Sequence, residues 1–106
     1  MAKYLIQASY TPEGVKGLVR EGGSARRAAV EGTIQSIGGK VEAFYYAFGD
    51  ADAVVIVDLP DNASAGALSF AVNQVGAVRI RTTVLLTAEE VDQAVKRTVS
   101  YRAPGR

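Results

Sequence analysis

The sequence predicts an α+β domain in which helices cover one face of an antiparallel four-stranded sheet. Three observations predict it. Strand-like apolar runs occur at residues 3–10, 40–48, 52–58 and 77–86. Segments with helical apolar spacing and capping residues separate the first run from the second and the third from the fourth. The stretch "FYYAFGDADAVVIVDLPD", residues 44–61, sets two apolar runs around a tight Gly-Asp turn, which reads as a hairpin.

Residues 3–10 alternate: Tyr4, Ile6, Ala8 and Tyr10 share one face, and Leu5, Gln7 and Ser9 the other. Thr11 caps a helix, Pro12 suits its first position and Glu13 complements its dipole. Glycines at 14 and 17 weaken this helix, and Gly22-Gly23 breaks it. Ser24 reads as the N-cap of a second helix reaching Ile37, with Val30, Ile34 and Ile37 inward and Arg26, Arg27 and Glu31 outward. Gly38-Gly39 stops it. In the strand at 40–48, Val41, Ala43, Tyr45 and Ala47 fall on one face and Phe44, Tyr46 and Phe48 on the other. The run Ala53 to Val57 is apolar without alternation. Asp61 or Asn62 caps a helix over 63–75, which Gly76 closes. After the strand at 77–86, Thr87 and Glu90 form a capping box that starts a short terminal helix. The order β, α, β, β, α, β is the ferredoxin-like plan, with the terminal helix as an addition. Residues 1–97 form the single domain, and 98–106 a flexible basic tail.

Composition excludes several functions. The chain has 106 residues and no cysteine or histidine. A Ser-His-Asp or Cys-His catalytic set is therefore impossible, the common zinc sites cannot be built, and a proximal haem histidine is missing. Twelve basic and 11 acidic residues give a net charge of +1, too balanced for a nucleic-acid-binding surface. Only the C-terminal end is biased, with Lys96, Arg97, Arg102 and Arg106. No apolar run reaches the ~20 residues that span a bilayer, and Met1 to Ile6 lacks the form of a signal peptide. The expected location is the cytoplasm.

A lone ferredoxin-like sheet turns one face to water, and that face should read polar. The second and third strands are apolar on both faces. A second copy, sheet against sheet across a two-fold axis, covers such a face; the alternative is the terminal helix folding back over it. The expected assembly is a homodimer or a higher homo-oligomer.

The stretches "MAKYLIQASYT", "GGKVEAFYYAFGDADAVVIVDLPD" and "GAVRIRTTVLLTAEEV" carry a resemblance to the GYD-domain family of the dimeric α/β-barrel superfamily. The naming motif of that family is Gly, any residue, Tyr-Asp. Gly49-Asp50-Ala51-Asp52 keeps its glycine and final aspartate, with Ala51 at the tyrosine position. The resemblance implies the barrel-forming dimer. It names no activity, since superfamily relatives include cofactor-free monooxygenases, isomerases and haem enzymes.

Candidate site residues fall into groups. Asp50 and Asp52 offer two carboxylates, too few for calcium or magnesium, and Asp58 sits ~20 Å away along the strand. No metal or cofactor is expected, and turn chemistry explains the pair. Tyr4, Tyr10, Tyr45 and Tyr46 either line an apolar pocket or pack the core and interface. Arg79 and Arg81 either bind an anion or guard an edge strand. Gly22-Gly23-Ser24, ahead of Arg26 and Arg27, offers a helix N-terminus for phosphate or a plain cap. The expected function is small-molecule binding or assembly, with ligand contacts from Tyr4, Tyr10, Tyr46 and Arg81. The alternative is a cofactor-independent monooxygenase- or isomerase-like enzyme acting on a small aromatic substrate through Asp52, Tyr45 or Arg79. A third reading is a structural protein that builds rings or cages from dimers.

Overall fold

A computed structural model describes all of Met1–Arg106. The elements are β1 (Ala2–Tyr10), α1 (Pro12–Glu21), α2 (Gly23–Ser36), β2 (Lys40–Tyr46), β3 (Ala53–Leu59), α3 (Asn62–Val75), β4 (Val78–Leu85) and α4 (Ala88–Val95). The four strands form one antiparallel sheet in the order β2-β3-β1-β4. This is the ferredoxin-like arrangement, with the first crossover helix broken into α1 and α2.

The break falls at Gly22, whose φ of 87° is in the left-handed region that favours glycine. Gly22, not Ser24, caps α2. The helix starts a residue before the serine because the chain turns directly from α1 into α2. A Cβ on Gly23 would lie 3.2 Å from the Tyr46 ring, so a small residue is needed there. Thr11, Asp61 and the Thr87/Glu90 capping box hold the other helix N-termini as their sequences predict.

Register sorts the side chains into two faces. Tyr4, Ile6 and Ala8 of β1 lie beside Ala53, Val55 and Val57 of β3 and are buried under the helices. Leu5, Val54 and Ile56 point the other way and are half-buried. In β2 the faces differ from simple alternation. Val41 pairs with Val57 but Ala43 pairs with Ile56, so Glu42 is an extra residue in a β-bulge. The bulge puts Val41 on the helix side with Phe44 and Tyr46, and leaves Ala43 and Tyr45 on the open side. The strand ends at Tyr46, and Ala47 to Asp52 make a wider connection closed by Ala47 N–H donating to the Asp52 carbonyl at 2.8 Å.

The core centres on Tyr4, Ile34, Val57 and Leu59, with Phe44 and Leu68 around them. Gly39 lies so close to Ile34, Asp58 and Leu59 that a Cβ would approach within 2.6 Å of the Asp58 carbonyl. The outer edge of β4 is partly closed by Asn73, whose side chain accepts from Ile80 N–H at 2.7 Å and donates to its carbonyl at 3.3 Å. The amide thus stands where a neighbouring strand would be.

Nothing covers the open face. α4 and residues 96–106 run away from the domain, and Val91, Val95, Val99 and Tyr101 are exposed. The molecule measures 56 × 33 × 23 Å with a radius of gyration of 16.8 Å, against about 13 Å for a compact chain of this length. Its accessible surface is 7555 Å², roughly a third above the about 5,700 Å² of a compact monomer of this mass. The terminal helix therefore does not fold back over its own sheet. No helix is long and apolar enough to cross a membrane.

Candidate functional site

The sheet separates the predicted site residues. Tyr4, Tyr10 and Tyr46 lie on the helix side, while Tyr45, Arg79 and Arg81 lie on the open side. Tyr4 is in the core, its hydroxyl donating to Asn62 at the start of α3. Tyr45 is exposed. Arg79 and Arg81 are also exposed, on edge strand β4.

Asp52 is occupied by the backbone. Its Oδ2 accepts Tyr10 N–H at 2.8 Å, and its own N–H donates to the Ala8 carbonyl at 2.8 Å. These bonds continue the β1–β3 ladder past Ala8 and Ala53. Asp50 is exposed, and no group of three or more carboxylates is placed to hold a metal ion. Asp58, at the far end of β3, holds Lys3 Nζ at 2.8 Å, with Glu42 at 3.3 Å from the same ammonium.

The cavity of interest lies between α2, α3 and the sheet. It is an apolar slot of about 100 Å³, with Ile6, Phe44 and Val55 on its floor, Val30 and Ile34 from α2, and Leu68 and Val72 from α3. Tyr10, Arg26 and Thr33 bring polar atoms to it. The same three residues, with Val72 and Val78, also border a wider basin of about 470 Å³ under α1. The slot is smaller than the ~150 Å³ cavity that encloses a benzene ring, so a ring or short aliphatic chain lodged in it extends into the basin that shares its rim.

A polar cluster marks the junction. Arg26 donates to Glu21 at 3.5 Å, joining α2 to the end of α1. Tyr46 donates to the Gly23 carbonyl at 2.9 Å. The Tyr10 phenol ionises above its ordinary range, chiefly because it is partly buried and secondarily because Tyr46 is near; Arg26 opposes this, while Asp52 and Glu21 add to it. Burial raises Tyr46 in the same way. Both phenols therefore stay protonated at neutral pH; Tyr46 gives its proton to Gly23, and Tyr10 is left as a donor beside a guanidinium. An anionic or hydrogen-bond-accepting group is the natural complement.

The polypeptide matches the family model described as "GYD domain" over residues 4–95. The chain belongs to the GYD domain family. No curated protein and no solved structure matches it. In this GYD domain the motif aspartate, Asp52, ties the hairpin turn to the end of β1. Ala51, at the motif's tyrosine position, is buried.

Thr33 is a slot residue that the sequence did not point to, and Arg26 was named only beside a candidate phosphate site at the start of α2. Arg26 was expected to point outward, yet it precedes Val30 by four residues and so shares the inward stripe of α2. Arg27, one position on, is the outward residue, spaced i,i+4 from Glu31 at 4.0 Å. The spacing held the signal, and the charge of Arg26 masked it.

Proposed function

We propose that this GYD domain is a small-molecule-binding domain whose ligand is a compact apolar or aromatic group carrying one anionic end. The ring occupies the slot between α2 and α3, and the anionic end meets Arg26 and the Tyr10 phenol. The observation that carries this reading is that Tyr10, Arg26 and Thr33 bring the polar groups to the wall of an otherwise apolar cavity. Few convergent polar groups on an apolar wall are the usual composition of a ligand site.

Binding is preferred to catalysis because the inner slot is lined by no carboxylate. Asp52, the acid nearest in sequence to a catalytic role, is turned to a backbone amide. We further infer that the working form is an oligomer in which a second copy covers the open sheet face. Half-buried Leu5, Val54 and Ile56 on that face support this, as does the surface excess over a compact monomer.

The test is isothermal calorimetry with phenylacetate and with its uncharged relative toluene, on the native chain and on Val30→Trp. Phenylacetate should bind the native chain measurably, bind more tightly than toluene and lose affinity at least tenfold in Val30→Trp, which fills the slot. Equal binding to native protein and Val30→Trp would remove the slot as the site.

A further inference from the structure

We propose that α4 and the chain following it form an exchanged arm, which lays Glu89 and Asp92 against Arg79 and Arg81 of a second copy. This rests on the reading that a second copy covers the open face, and it identifies the contact that holds the copy there.

The first observation is that α4 is amphipathic and has no partner. Ala88, Val91 and Val95 recur at helical spacing and make an apolar stripe. Val91 and Val95 are exposed, although a capping box fixes the start of the helix firmly. Glu89 and Asp92, three residues apart, lie along one edge of this stripe. Glu90 is already used, its carboxylate accepting Thr87 N–H at 2.9 Å. Glu89 and Asp92 take part in none of the chain's ion pairs.

The second observation is a surface of opposite charge. Arg79 and Arg81 stand on the same face of edge strand β4, opposite Ser9 and Gln7 of β1. With Ser9, Thr11, Asn73 and Gly76 they border a shallow polar groove. Neither arginine has an acidic partner in its own chain. On the same face Gln7 of β1 stands between Arg81 and the half-buried Val54, with Leu5 and Ile56 one step further along the strands. An apolar stripe with acids on one edge thus matches an apolar face with arginines on one edge.

The third observation is reach and direction. The arm leaves from the Leu85 end of β4, at Lys3, whereas Arg79 is near the other end of the same strand. α4 extends away from its own domain, so its acids do not meet its own arginines. Across a two-fold axis perpendicular to the strands, β4 faces the partner's β4 running oppositely. The Leu85 end of one strand then faces the Arg79 end of the other, and both arms engage at once. The excess of accessible surface over that of a compact monomer, about 1,900 Å², is larger than the about 800 Å² per partner that a stable interface buries.

Charge reversal tests this in trans. One variant carries Arg79→Glu with Arg81→Glu, and the other carries Glu89→Arg with Asp92→Arg; all four positions are exposed. Native mass spectrometry is run on each variant alone, on their mixture and on the native chain, with circular dichroism confirming the fold. Each variant alone should dimerise at least about tenfold more weakly than the native chain. The mixture should form a heterodimer of native strength, because both arm–groove contacts are then restored. A native dimer with both variants dimerising equally well would overturn the arm and leave the covered open face standing. A variant pair that weakens but is not restored by mixing would also overturn it. A native monomer would overturn both readings.

Discussion

Asp52 Oδ2 accepts the backbone N–H of Tyr10 at 2.8 Å, which ties the hairpin turn to the last residue of β1. The aspartate that looks most like a catalytic acid in the sequence is therefore a structural acceptor. Its position also fixes where the Tyr10 side chain enters the slot. Asp52→Ala should lower stability by about 1–3 kcal/mol, the cost of leaving a partly buried amide unpaired. Urea denaturation followed by circular dichroism measures this. Unchanged stability with abolished phenylacetate binding would assign Asp52 to the ligand instead.

Two glycines should respond in opposite directions to the same substitution. Gly39→Ala places a Cβ 2.6 Å from both the Asp58 carbonyl and Leu59 Cδ2. Overpacking at a backbone contact should cost about 1–3 kcal/mol. Gly32, inside α2, has no atom within 4 Å of an added Cβ, so Gly32→Ala should stabilise by ~0.5–1 kcal/mol. Thermal melts of the two variants check both signs.

The pH dependence follows from four residues, of which Lys3 is raised chiefly by its hydrogen bond to Asp58 and belongs to the alkaline limb. Tyr10 and Tyr46 ionise above their ordinary range. A raised phenol pKa contributes stability that is present below about pH 10, the unfolded value, and is lost as pH rises through the folded value. Asp61 is lowered, by the Ser64 N–H and hydroxyl bonded to its carboxylate at the cap of α3. Its contribution is present above about pH 3.9 and is lost as pH falls through the folded value. Tyr10→Phe should flatten the alkaline limb of a stability–pH profile without changing the acid limb, and Asp61→Ala should do the reverse.

Arg26 joins the two helices at the slot mouth. Arg26→Gln should weaken phenylacetate binding more than toluene binding and leave the fold intact, because its pair with Glu21 is largely exposed and worth only about 0–1 kcal/mol. Calorimetry with the two compounds reads the difference. Equal losses for both would indicate a role in shape alone.

Much of the fold was legible because each element carries its own local signal. Thr11-Pro12, Asp61 and Thr87 with Glu90 announce helix starts through cap chemistry, and the apolar runs announce strands. The faces of β2 were harder. Counting by twos put Val41 with Tyr45, and one extra residue at Glu42 reversed that assignment. Tyr10, which lines the slot, could be nominated from its residue type, whereas Tyr46 gives its hydroxyl to Gly23. The slot itself was not legible, since it depends on how far α2 and α3 separate above Phe44 and Val55. Arg26 was hidden by the assumption that charge faces water, although its spacing to Val30 said otherwise.

The helix side of the sheet, not the open side, should hold the ligand, and residue-resolved NMR chemical-shift mapping during titration with phenylacetate distinguishes the two. The largest shifts should fall on Tyr10, Arg26, Val30, Thr33 and Val72, with saturation at one ligand per chain. Shifts confined to Tyr45, Val54, Ile56 and Arg81, or no saturable shift, would contradict it.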